Sequence, residues 1–143
     1  MSAYNHVLIA VDLTDDSPVV AYRGLEVASR FNARVTLLHV VEFVPVDPAG
    51  EALLPPPLDL EGELVEGAKQ RLDELCVTLR IKDAPRLVAN GVIKMELVRV
   101  AREIKADLIV LGSHERHGLA LLLGSTEKSI LHKATCDVLA VRL

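Results

Sequence analysis

Two short, unbroken apolar runs, His6-Val-Leu-Ile-Ala-Val11 and Asp107-Leu-Ile-Val-Leu111, set the strongest constraint on what this chain can become. Each is rich in branched residues and too short for a helix. Neither alternates with polar residues, so each reads as a parallel strand covered on both faces. The sequence between them must then supply helices for both sides of a sheet. Asp12 to Asp16 end the first run, and Ser17-Pro18 offers an N-cap hydroxyl followed by a proline at the first helical position. A helix over 18–31 is predicted.

Residues 33–39 repeat the strand signature and complete a β-α-β unit with a right-handed crossover. Residues 44–57 hold five of the seven prolines, which blocks helix and sheet alike and predicts a surface loop. From residue 58 the positions Leu60, Leu64, Ala68, Leu72, Leu75 and Leu79 fall three or four apart, the spacing of a helix of about 22 residues packed by a leucine face. Residues 86–89 form a short strand ended by Asn90-Gly91, and Ile93, Leu97, Val100, Ala101 and Ile104 mark the next helix. Residues 112–124 read as a loop, 125–133 as a short helix and 137–141 as a fifth strand. Residues 1–143 thus make one α/β domain, an open doubly wound parallel sheet.

Composition narrows the function. Half of the residues are apolar and a quarter charged, which excludes intrinsic disorder. The net charge of −4 offers no basic excess for a phosphate backbone, and the four aromatic residues are Tyr4, Tyr22, Phe31 and Phe43, so nucleic acid is not an expected partner. Cys76 and Cys136 lie far apart with no CxxC, which fits a reducing cytoplasm and neither a disulfide scaffold nor a zinc module. No signal-like start and no long apolar segment occurs, so no membrane association is expected.

In open parallel sheets, ligands sit beyond the carboxyl ends of the strands, where the strand order reverses. The loop after the first strand, Asp12-Leu-Thr-Asp-Asp16, carries three carboxylates and no glycine, and would repel a phosphate. That disfavours a dinucleotide-binding domain and a flavodoxin. A receiver domain would need an aspartate where Asn90 stands and a lysine after the last strand. The loop after the fourth strand is different: Gly112-Ser-His opens it and Gly124-Ser-Thr126 closes it at a helix start, where free N–H groups face any anion.

Val7-Leu-Ile-Ala-Val-Asp12, Val35-Thr-Leu-Leu-His-Val40, Asp107-Leu-Ile-Val-Leu-Gly-Ser-His114, Gly124-Ser125 and Cys136-Asp-Val-Leu-Ala-Val141 together resemble the universal stress protein family, in register over nearly the whole chain and nearest to its A branch. The resemblance implies a five-stranded sheet of order 3-2-1-4-5 and a cytoplasmic, dimeric stress-response module that acts by association without efficient catalysis. Some members bind ATP through a Gly-x2-Gly-x9-Gly-Ser/Thr loop. Here Gly112 and Gly124-Ser125 match the ends, but Glu115 replaces the middle glycine and the outer glycines are one residue closer. The alternative is therefore an ATP-binding sensor, or a very slow ATP hydrolase, using ATP with Mg²⁺. The resemblance would then place adenine and ribose near Asp12, Leu13 and the Val40 backbone. Phosphates would lie along Gly112, Ser113, Gly124, Ser125 and Thr126.

No residues form a recognisable catalytic constellation. Ser113 and Ser125 lack a GxSxG setting, and Cys76 and Cys136 read as packing residues. His114 and His117 form an HxxH without a third ligand, so no metal is expected. His39 reads as packed or hydrogen-bonded. The last strand, Val138, Leu139, Ala140 and Val141, is apolar on both faces, and as a sheet edge it would be open to a second copy. The resemblance likewise implies a two-fold homodimer through this strand.

Overall fold

A computed structural model describes residues 3–42, 60–113 and 125–143. The strands are β1 (His6–Ala10), β2 (Arg34–Val41), β3 (Arg86–Asn90), β4 (Leu108–Ser113) and β5 (Asp137–Arg142). The helices are α1 (Ser17–Phe31), α2 (Leu60–Thr78), α3 (Ile93–Glu103) and α4 (Ser125–Lys133). All strand pairs are parallel, in the order β3-β2-β1-β4-β5. The sequence-based expectation of a doubly wound sheet, order 3-2-1-4-5, therefore holds. The proline-rich stretch 44–57 lies outside the described residues.

The two apolar runs behave as their composition demands. Val7 and Ile9 of β1 and Val11 just after it pack with Val20, Ala21, Ala28, Leu72 and Cys76 of α1 and α2. Leu8 points the other way, to Leu97, Val100 and Ala101 of α3 and Ile130 of α4. In β4, Leu108 and Val110 join the first layer, Ile109 and Leu111 the second. From Val7 to Ile9 and from Leu108 to Leu111 each central strand thus buries both pleat faces, and every residue of these two stretches is apolar.

Three local expectations change. Ser17 does not cap α1: Asp16 stands at the N-cap and its side chain makes no capping hydrogen bond, while the buried Ser17 hydroxyl donates to Asp12 Oδ1 at 3.1 Å. The hydroxyl takes the stronger, charged acceptor within reach. In α2 the buried seam is Ala68, Leu72 and Cys76, continued by Leu79 just past its end, with Leu75 partly buried, and Leu64 is 42% exposed, so a thiol fills a place in the predicted leucine stripe. Strand β4 runs on through Gly112 and Ser113, which pair with Val141 and Arg142, rather than ending at Leu111.

The amino end of the sheet carries a buried polar link. His6 is 8% exposed; its Nδ1 lies 3.1 Å from the Ile104 carbonyl and its Nε2 lies 2.7 Å from Thr36 Oγ1. A carbonyl can only accept, so Nδ1 carries the proton and the Thr36 hydroxyl donates to Nε2. Burial, and secondly the Arg34 charge, push the imidazole below its ordinary 6.5, against smaller opposing effects of the Ile104 carbonyl and Asp107. The unfolded chain thus binds this proton first as pH falls. Stability from the neutral ring is complete above about pH 6.5 and declines as the pH drops below it. Urea midpoints between pH 7.5 and 5.5, above the main carboxylate range, should fall with pH in the wild type and much less in His6→Gln.

Candidate functional site

The strand order reverses between β1 and β4, so the crevice at their carboxyl ends is where a doubly wound sheet is built to accept a ligand. Its first wall is the segment after β1. Val11 N–H donates to the Leu38 carbonyl at 2.9 Å, and the Val11 carbonyl takes the His39 Nδ1–H at 2.8 Å. His39 thus ties the ends of β1 and β2 together. Beyond it, Asp12 Oδ1 accepts from Thr14 N–H at 3.1 Å, from Thr14 Oγ1 at 2.7 Å and from Ser17 Oγ at 3.1 Å.

This carboxylate is therefore the organiser of its own loop. Its bonds turn the chain back on itself as an Asx-type turn and hold Leu13 buried with φ +62°, a left-handed conformation uncommon for leucine. The Leu13 carbonyl in turn accepts from the guanidinium of Arg71 on α2. That contact ties α2 to the loop after β1. Nothing in the sequence pattern signals it, because Arg71 lies on the exposed side of α2 and 58 positions away.

The second wall is the end of β4. A Cβ on Gly112 would fall 2.7 Å from Leu143 Cδ1 and 3.0 Å from Val20 Cγ2, so the missing side chain lets α1 and the residue after β5 close over β4. The Ser113 carbonyl accepts Leu143 N–H at 3.0 Å. Gly112 has a packing role that the sequence reading, which gave it to phosphate approach, did not contain. Val40 is buried in β2 and paired with Ala89. The next carbonyl, of Val41, takes Gly91 N–H at 3.0 Å, and the turn there needs the φ of +144° that glycine supplies.

Of the residues singled out by sequence, the fold brings Asp12, Leu13, Val40, Gly112, Ser113 and the first turn of α4 at Ser125 and Thr126 to the carboxyl side of one sheet. Gly124, together with His114, Glu115, His117 and Gly118, lies outside the described residues. Cys76 is fully buried, and burial pushes its thiol upward; Cys136 is half-buried and shifted the same way. Both are poor nucleophiles by that measure. Among the described residues no group of three or more His, Cys, Asp or Glu could hold a metal ion, and no helix is long and apolar enough to cross a membrane.

The family model of the universal stress proteins matches residues 3–142. Universal stress protein A homolog 1 of Coxiella burnetii is 42% identical over 138 residues, which is 96% of each chain. Among solved structures, universal stress protein UspA from Lactobacillus plantarum superposes with a TM-score of 0.71 at 24% identity, covering 97% of this chain and 98% of that one. A universal stress protein solved in complex with cAMP matches with a TM-score of 0.60 at 24% identity, covering 98% of both.

Proposed function

The chain belongs to the universal stress protein family, and from that premise we propose that it is a stress-response module that works in the cytoplasm by pairing two copies along β5, without efficient turnover of a substrate. The observation that carries this reading is the position of β5. Among the described residues it is the outermost strand, with β4 as its one neighbour, so its other edge offers a row of backbone donors and acceptors to a partner. Val138 and Leu139 are half-buried and Ala140 is exposed beside that row.

The opposite edge is guarded. Beside β3, Arg86 donates to Asp73 at 2.7 Å, Asn90 donates to Glu61, both acceptors on α2, and Pro85 precedes the strand. Charge, a proline and an overlying helix are the usual devices that blunt a strand edge. A two-fold axis beside β5 would pair the same strand with itself and close the assembly at two copies.

Sedimentation equilibrium tests this directly. The wild type should sediment at twice its chain mass of 15.6 kDa. Ala140→Lys, an exposed substitution that leaves both core layers alone, should give a folded monomer. A wild type that stays monomeric at tens of micromolar, or a dimer indifferent to the lysine substitution, overturns the pairing.

A second reading rests on the crevice. Glycine and serine end β4, α4 begins on the same side of the sheet, and a solved relative of the same fold holds cAMP. Here ATP with Mg²⁺ is the ligand, its adenine and ribose near Asp12, Leu13 and Val40, its phosphates along Gly112, Ser113, Gly124, Ser125 and Thr126. Hydrolysis, if coupled to it, is very slow. Calorimetric titration of nucleotide-stripped protein with Mg-ATP should give saturable heat that Gly124→Asp abolishes. A flat titration removes this reading and leaves the pairing untouched.

A further inference from the structure

Helix α3 carries two stripes. Leu97, Val100 and Ala101 are buried against the sheet, with Ile93 and Ile104 packed beside them. The other stripe, Met95, Val98, Arg99 and Arg102, follows the i, i+3, i+4, i+7 rule along one face. With Glu103 and with Lys133 of α4, it lines a surface groove of about 520 Å³. Met95 is 58% exposed there.

The groove is polarised along its length. Arg99 is spoken for: it bonds both Glu96 oxygens at 2.9 Å and Glu103 at 2.7 Å. One end is therefore apolar; at the other, Glu103 is engaged by Arg99, and Arg102 and Lys133 form no ion pair among the described residues, on a chain whose net charge is −4. Cations in the last turns of α3 and α4 also offset the helix dipoles. That accounts for their charge and not for the thioether and valine that share their stripe.

We propose that this groove docks an acidic amphipathic helix of another protein. Such a helix sets a bulky apolar side chain on Met95 and Val98 and a carboxylate between Arg102 and Lys133. From residue 95 to 102 the helix axis advances about 10 Å, so the two anchoring side chains of the partner stand one to two turns apart. Thioether floors adapt to varied apolar groups, and the paired cations fix direction and register.

A phage-displayed library of random peptides, selected on the wild type and counter-selected on Arg102→Glu/Lys133→Glu, tests the proposal. The expected winners carry Leu, Ile or Phe one to two turns from Asp or Glu. As fluorescein-labelled peptides they should bind by anisotropy, at least about tenfold more weakly to the double variant and to Met95→Asp, and more weakly as salt is raised. All three positions are exposed, so thermal melts by circular dichroism should show folded variants. Failure to enrich groove-dependent clones, or winners without carboxylates, overturns the proposal. So does self-association, or binding to phosphatidylserine vesicles, that requires these same residues.

Discussion

Gly24→Ala is expected to destabilise the protein by about 2 kcal/mol, although alanine is the better helix former by about 1 kcal/mol. The methyl group would lie 2.6 Å from both Cγ1 and Cδ1 of Ile9, a side chain with no solvent exposure at the centre of the sheet. Rotating the end of Ile9 can move Cδ1 but not Cγ1, and forced overpacking of this kind costs roughly 1–3 kcal/mol, here at the upper end. Ile9→Ala alone should lose about 2–5 kcal/mol through the cavity it leaves. In that background the methyl added by Gly24→Ala has room, so the second substitution should become neutral or stabilising. A urea-denaturation double-mutant cycle should then show a favourable coupling of about 2 kcal/mol. If Gly24→Ala stabilises the wild type, the close approach of α1 to β1 is wrong.

The loop after β1 yields the second large effect, because one oxygen organises it. Asp12→Ala removes the acceptor from three donors, including the hydroxyl of Ser17, which is 2% exposed. Stranding a buried hydroxyl and releasing the turn should cost about 2–3 kcal/mol. Asp12→Asn keeps an oxygen in the same place and should cost under about 1 kcal/mol, the difference between a charged and a neutral acceptor. Denaturation midpoints of the two variants check this. The pair also separates folding from ligand contact: a change in nucleotide binding seen in the asparagine variant cannot be blamed on a collapsed loop.

The sheet was legible because burial on both faces removes polar residues from a strand's middle, and Val7 to Val11 and Leu108 to Leu111 show that removal directly. Helix α3 was legible through Ile93, Leu97, Val100, Ala101 and Ile104, all of which pack toward the sheet. What escaped were features set by contacts between distant segments. Gly112 reads as a loop opener in sequence, yet it is a strand residue under Val20 and Leu143, since the β5 ladder continues past Leu111. Ser17 has the sequence signature of an N-cap, but a carboxylate five residues earlier draws its hydroxyl away. Cys76 replaces a leucine in the α2 seam because position 76, and not 64, meets the sheet. Arg71 had no local signal at all.

The pairing of Val7 with Leu108 joins positions about a hundred residues apart, whereas Val7 meets Val35 across a single crossover. A nascent or partly folded chain can therefore assemble β1, β2 and α1 and still lack the gap between β1 and β4, which comes into being only when that long span closes. A ligand seated there would recognise only a chain in which β1 and β4 have paired. Its occupancy would act as a report that synthesis and folding had both run to completion, and by mass action would hold the molecule in that finished state.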